Sequence, residues 1–291
     1  MIEPPQTPPR RLLLAGHGDI ARRLEALLPG GVETFRASRA SGFDFDRPET
    51  LAGLAARVGA QTAVLHSAPP QNAGATDTRT ANLLAALDQG PILPSRLVYI
   101  GTSGVYGDCA GALVDETRAV QPQTERAQRR ADAERQLLAW GAARGVPVVV
   151  LRAPGIYAAD RLPLARLAQG TPVLADQDDV YTNHIHAEDL ARICLAALAV
   201  TAPAGIYNAS DDSEIRMGAW FDLVAERHRL PRPPRIRRAE AQARIPAALL
   251  SFMGESRRLL NAKMKRELGV QLLYPTVYQG VPATAAKGGA A

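Results

Sequence analysis

The chain has 291 residues, with 34 Lys+Arg against 29 Asp+Glu for a net charge of +5. That length suits one large α/β unit or a nucleotide domain with a smaller cap, because single cores stop growing at about 250–300 residues. The charge excess is too small for the global field that nucleic-acid binders use. No apolar run reaches the roughly 18 residues of a membrane span, and Cys109 and Cys194 lack metal or redox spacing. The expectation is a cytoplasmic protein with a small-molecule ligand and neither a nucleic-acid nor a membrane partner, monomeric or homodimeric.

Residues 1–10 hold four prolines and 280–291 are rich in Gly and Ala, so both ends read as flexible tails. Between them, short apolar runs alternate with helical patterns. Leu12–Ala15 reads as a strand, Ile20–Leu28 as a helix, Val32–Phe35 as a strand, Glu49–Val58 as a helix and Thr62–His66 as a strand. A helix near Thr78–Leu87, a strand at Leu97–Ile100, a helix over Pro122–Trp140 and a strand at Val146–Leu151 continue the series. This alternation predicts βαβ units on a parallel sheet, with six strands filling residues 11–152. The fold class is thus α/β, a Rossmann-type doubly wound parallel sheet with helices on both faces and a small C-terminal cap.

After Arg152 the rhythm breaks into a helix near Leu162–Leu167, a strand near Val180–Ile185, a helix over Ala187–Ala199 and a strand near Ile206. The expected division is residues 11–160, with sheet completion from 180–210, and an interleaved cap over 161–278. The basic, proline-interrupted stretch 232–238 reads either as a solvated connector or as a rim for an anionic ligand.

Leu12–Ala15 runs into Gly16-His17-Gly18-Asp19-Ile20-Ala21, a G-x-G-x-x-A loop that opens an amphipathic helix. The first glycine permits a tight turn, the second lets backbone N–H groups approach a pyrophosphate, and Ala21 allows close helix–strand packing. The next strand ends with Arg36 and Arg39 and no acid. An acid there binds a ribose 2′-hydroxyl and an arginine accommodates a 2′-phosphate, so NADP(H) is expected ahead of NAD(H). Asp46 is expected at the adenine edge, and Ser67, Ala68 and Pro69 beside the cofactor ribose.

Four stretches then carry a resemblance: Gly16 to Ala21, Tyr99 to Gly107, Leu151 to Tyr157 and Asn183 to Ala191. Together, over about residues 11–210, they resemble the extended short-chain dehydrogenase/reductases related to nucleotide-sugar epimerases. The resemblance implies that Thr102, with Ser103 beside it, hydrogen-bonds a substrate oxygen. It implies that Pro154, Gly155 and Ile156 lie against the nicotinamide, that Arg161 holds an anionic group of the substrate, and that Asn183 and His186 border the substrate pocket.

The family also supplies a Tyr and a Lys four residues apart on the next helix. Registering Pro122 and Glu134 on that pattern puts Arg126 and Arg130 in those places. Arginine does not release its proton in proteins, so any chemistry needs another proton donor. Residues four apart share a helical face, so Arg126 and Arg130 form either an anion clamp or a solvated basic face. This departure is similar to the atypical branch of the superfamily, and so is the stretch from Glu255 to Pro275, where Arg257 and Arg258 are pocket candidates. Tyr106, Tyr157 and Tyr181 are the candidate proton donors, with core packing as the alternative for each; Tyr157 is also a substrate-contact candidate. His184 and His186 alternate on a strand before Glu188 and Asp189, but no third ligand follows at metal spacing, so no metal is expected. The implied function is an NADP-linked oxidoreductase or epimerase-like activity on a small anionic, nucleotide-sugar-like substrate; the alternative is a non-catalytic NADP-responsive protein.

Overall fold

The computed structural model describes residues 7–283. Among them the central sheet has six strands: β1 Arg11–Ala15, β2 Glu33–Ala37, β3 Thr62–His66, β4 Arg96–Thr102, β5 Val148–Ala153 and β6 Gly205–Asn208. All pair in parallel, in the order β2-β1-β3-β4-β5-β6. The order reverses between β1 and β3, which makes the carboxyl end of β1 the switch point where α/β sheets bind ligands.

Both faces of the sheet are covered, as its continuous apolar strands require. Successive side chains alternate faces. Leu12 and Leu14 pack under α1 (Asp19–Leu27) and α4 (Ala187–Leu198), while Leu13 and Ala15 pack under α2 (Thr78–Leu87) and α3 (Glu125–Arg144). A third apolar cluster joins Tyr157, Leu167 and Val173 to α5 (Met217–Arg227) and runs on to Val277 and Val281. Met264 and Val270 instead pack with the sheet cluster beside α4.

Five sheet strands, rather than six, lie within 11–152; the sixth, β6, returns from the second half of the chain to pair with β5. The helix expected over 49–58 is two 3-10 turns, Pro48–Leu51 and Ala55–Arg57. Gly53 separates them at a φ of +83°, which no α-helix accommodates. The strand expected over 180–185 is two pieces, Tyr181–Thr182 and His184–His186, interrupted at Asn183. Helix α3 starts at Glu125, three residues later than Pro122, because the Thr124 hydroxyl accepts the Ala127 N–H at its end.

The expected tails prove shorter where they are described. Pro9 is buried and the Arg10 carbonyl accepts the Glu33 N–H, while Gly280 and Val281 are buried beneath the cap. The remainder of both expected tails, 1–6 and 284–291, lies outside the described residues.

Candidate functional site

Two cavities meet at the carboxyl ends of the strands. The first, of about 250 Å³, is lined by Gly18, Asp19 and Ile20 at the start of α1, by Ser67, and by Ala153 and Ile156 across the cleft. Gly16 turns at a φ of +92°, and a Cβ there would lie 2.5 Å from the Ala68 nitrogen. The loop is clasped further by the Ser67 hydroxyl, which donates to the Gly16 carbonyl at 2.9 Å. Gly18 caps the nine-residue helix α1 with no side-chain partner, so the first-turn N–H groups are left for an anion.

The carboxylate of Asp19 sits at this helix end, yet it is neutralised by Arg23 at 3.0 Å and Arg161 at 2.8 Å. Burial opposes these two arginines, and together they hold Asp19 below its ordinary range. A side-chain-free turn, open helix N–H groups and a compensated acid fit the pyrophosphate of a dinucleotide.

Farther along this cleft, His17 and Glu25 are 2.6 Å apart, and Glu25 also accepts from Arg36 at 2.8 Å. Arg39 is exposed and makes no ion pair among the described residues. The Asp46 carboxylate is bound by Arg79, whose guanidinium also donates to the Pro69 carbonyl at 2.9 Å. Asp46 thus fastens its loop to the start of α2, and its side chain does not stand free for an adenine.

The second cavity, of about 400 Å³, shares Thr102, Arg130 and Pro154 with the first. Arg126, Arg130, Arg166 and Arg257 line it, against the single carboxylate of Glu255 among its described lining residues. Arg130 donates to the Tyr99 hydroxyl at 3.1 Å and the Ile100 carbonyl at 3.0 Å. Burial raises the Tyr99 hydroxyl to about 12 against the opposing pull of Arg130, so that hydroxyl keeps its proton. Arg257 donates to the Gly107 carbonyl at 2.8 Å and to Glu255 at 2.7 Å. Arg126 lies over the ring of Phe252, and Arg166 over that of Phe221. Thr102 accepts the Gly104 N–H and Ser103 is buried beside it. Arg126 and Arg130 both border the cavity, Arg126 exposed and Arg130 half-buried.

Several expected residues sit elsewhere. Tyr106 lines neither cavity: it is buried under Arg152, and its hydroxyl donates to Asn208 at 2.8 Å. Tyr157 is 2% exposed and packs edge-on against His186 and Trp220, with burial raising its hydroxyl far above the ordinary range. Of the three tyrosines proposed as proton donors, Tyr181 alone borders the arginine-lined cavity. Arg216 and Arg258 each lie over its ring, 5.3 and 5.0 Å from the centroid. Arg161 faces the Gly-loop cavity and binds Asp19, not a group in the second cavity.

His186 caps α4, accepting the Glu188 N–H, and stacks on Tyr274 at 3.9 Å between ring centroids. Asn183 does line the second cavity, but its amide is engaged: it donates to the Arg257 carbonyl and accepts the Leu259 N–H. Arg166, Trp220, Phe252 and His184 are pocket residues that the sequence pattern does not single out as such. The first three lie outside the recognisable motifs, and His184 lies within one, Asn183 to Ala191, whose resemblance implies the pocket border for the segment without singling out this side chain. No cluster of metal-ligating side chains occurs among the described residues, and no helix among them is long and apolar enough to cross a membrane.

Comparison with known proteins agrees with this architecture. The profile of the NAD dependent epimerase/dehydratase family matches residues 43–210, more than half of the chain. A conserved protein of unknown function from Silicibacter pomeroyi is 28% identical, with a TM-score of 0.71 over 93% of this chain and 96% of that one. RMD from Pseudomonas aeruginosa, solved with NADPH, is 20% identical with a TM-score of 0.71 over 94% of this chain and 97% of its own. The UDP-glucose 4-epimerase of Thermus thermophilus, solved with NAD, is 21% identical with a TM-score of 0.69 over 93% of this chain and 96% of its own. At those identities the last two establish the shared fold. No curated protein sequence matches the chain. With the family profile, the parallel sheet and the glycine-turn cleft in agreement, the chain belongs to the NAD dependent epimerase/dehydratase family and has the NAD(P)-binding fold of the extended short-chain dehydrogenase/reductases.

Proposed function

We propose that this protein is an NADP-linked oxidoreductase or epimerase-like enzyme whose substrate is a small organic anion. The observation that carries this reading is the ring of four arginines around a cavity that opens into the nucleotide cleft at Thr102, Arg130 and Pro154. One carboxylate against four guanidinium groups leaves a positive cavity, and guanidinium forks match carboxylate and phosphate geometry.

Gly16 to Ile20 hold the pyrophosphate, with Arg39 the cation available to a 2′-phosphate, since Arg36 is already engaged by Glu25. The nicotinamide supplies hydride exchange when bound. Thr102 hydrogen-bonds the reacting oxygen, Arg126, Arg130 and Arg257 hold the anionic group, and Tyr181 is the hydroxyl at hand for proton transfer. The departure of Arg126 and Arg130 from the family's Tyr and Lys supports a second reading, a cofactor-responsive binding protein with no turnover.

Calorimetric titration of NADP⁺, NADPH, NAD⁺ and NADH comes first, followed by small carboxylates and phosphates titrated into the cofactor complex. Anion binding that falls at least about tenfold in Arg130→Met supports the reading. Tight cofactor binding with no anion binding and no change in nicotinamide absorbance would leave the non-catalytic alternative.

A further inference from the structure

Besides the four arginines, the second cavity is lined by the apolar and aromatic side chains of Met217, Trp220 and Phe221, with Arg166 over the Phe221 ring, and by one imidazole. His184 is 5% exposed, and its Nε2 has no hydrogen-bond partner. Buried polar atoms are nearly always paired, so an orphan on a cavity wall points to a group supplied from outside the chain.

The ring is held firmly. Its face lies against the indole of Trp220, with centroids 4.2 Å apart and planes 32° apart, and its edge meets Tyr157. Gly155 backs it: a Cβ at that position would lie 3.3 Å from the His184 Nδ1. The Asn183 and His184 backbone is fastened on both sides, the Asn183 carbonyl accepting the Gly155 N–H and the His184 carbonyl accepting the Asp211 N–H. Burial pushes the imidazole down to about 3, so it is neutral at physiological pH and presents one hydrogen-bonding nitrogen without adding charge.

We propose that His184 is a substrate-contacting, specificity-determining residue: its Nε2 hydrogen-bonds a second polar group, such as a hydroxyl, on the apolar body of the organic anion. The inference rests on reading this cavity as an anion site. Two features of the ligand are read at once, its charge by the arginines and its hydroxyl by His184. Trp220, Phe221 and Met217 give the lining around the imidazole an apolar character. A site with a buried hydrogen-bonding atom rejects an analogue lacking the matching group far more strongly than an apolar pocket does, because the site atom is then left unpaired.

The test uses benzoate, 3-hydroxybenzoate and 4-hydroxybenzoate as probes, titrated into the full-length protein saturated with NADP⁺. At least one hydroxybenzoate should bind about tenfold or more tightly than benzoate. His184→Phe, which keeps a ring against Trp220, should abolish that preference without weakening benzoate. His184→Gln should restore part of it. Should either variant fail to fold, the wild type answers the question alone: with ¹⁵N-histidine labelling, the unpaired Nε2 resonance should shift with the hydroxybenzoate and not with benzoate. Equal binding of all three probes by the wild type, or an undiminished preference in His184→Phe, would overturn the assignment of His184 while leaving the anion cavity in place. Failure of every probe to bind, with NADP⁺ still bound, would overturn the anion-site reading and the inference with it.

Discussion

Behind the floor of the site, helix α3 and strand β5 are joined by an ion pair taken out of water. Glu134 and Arg152 have side chains 5% and 4% exposed, with guanidinium nitrogens 2.7 and 3.1 Å from Oε2. Burial raises the Glu134 carboxyl against the pull of Arg152, while burial pulls the guanidinium down and the carboxylate, outweighing it, raises it. The pair sets the depth of β4, since a Cβ at Gly101 would meet the Glu134 Oε1 at 3.2 Å. Arg152 also covers Tyr106 at 4.7 Å, and its Nη1 has no partner. Replacing Glu134 by Leu strands a buried guanidinium, and breaking such a pair costs about 3–5 kcal/mol. At about 2 °C per kcal/mol for a chain of this size, Tm should fall by about 6–10 °C. Glu134→Leu/Arg152→Met, which removes both charges and keeps apolar volume, should recover most of that loss. Denaturant unfolding of the wild type, both single variants and the double variant closes the cycle. A cost below about 1 kcal/mol for Glu134→Leu, or a double variant no more stable than it, would refute the view that the buried charge is held by its partner.

Three further outcomes are expected. Burial raises the Asp211 carboxyl to about 7 from 3.8, and its Oδ2 has no partner, so the folded chain keeps a proton that the unfolded chain releases. The associated stability is full below about pH 4 and is lost as pH rises toward 7, so Asp211→Asn should stabilise by up to about 4 kcal/mol at pH 8 and by little at pH 4; an equal gain at both, measured by urea unfolding, counts against it. Gly16→Ala forces a Cβ to 2.5 Å from the Ala68 nitrogen at a positive φ, and should lower stability by about 2 kcal/mol or more while abolishing nucleotide binding by calorimetry. Arg39→Asp should weaken NADP⁺ at least about tenfold and change NAD⁺ by less than about threefold; equal losses for both would remove Arg39 from the 2′-phosphate.

What was legible in the sequence is what short-range chemistry fixes. The Gly16 to Ala21 loop announced its turn because glycines at that spacing after an apolar strand have few other uses, and the β1, β3, β4 and β5 runs were apolar enough to read as strands buried on both faces. The edge of the fold was harder. Gly205–Asn208 reads as a strand near Ile206 that completes the sheet, but its pairing with β5, more than fifty positions earlier, is not written in the local pattern. Two of the three candidate tyrosines lie away from the cavities for a related reason. Tyr106, Tyr157 and Tyr181 all flank motifs near the strand ends, but which ring turns inward is set by tertiary partners: Asn208 and Arg152 claim Tyr106, and His186 and Trp220 claim Tyr157. Arg161 had the right charge and the wrong cavity, because Asp19 draws it to the helix start. The apolar and aromatic lining comes from Met217, Trp220 and Phe221, between the motif ending at Ala191 and the stretch beginning at Glu255, where nothing in the local pattern distinguishes a pocket residue from a core one.

The arginines of the second cavity differ in how firmly they are held, and the chain's topology explains why. Ser256 ties the late segment to two loops: its carbonyl accepts the Cys109 and Gly111 N–H groups, its N–H donates to Asp108, and its hydroxyl accepts the Tyr181 N–H. Asn183 grips the next residues through the Arg257 carbonyl and the Leu259 N–H. Arg257 is therefore set by a backbone knot, and Arg130 by its bonds to Tyr99 and Ile100. Arg126 is exposed and rests on Phe252, itself 46% exposed. If the cavity takes the proposed organic anion, Arg257 and Arg130 are already fixed by hydrogen bonds, whereas Arg126 is held by a ring contact, so the first two carry less ordering cost. On that division, Arg126→Met should speed anion dissociation little and weaken affinity modestly, whereas removing Arg130 or Arg257 should remove most of the affinity. Stopped-flow and calorimetric titration of the three variants with one carboxylate probe checks this, and an Arg126→Met loss as large as that of Arg130→Met would refute it.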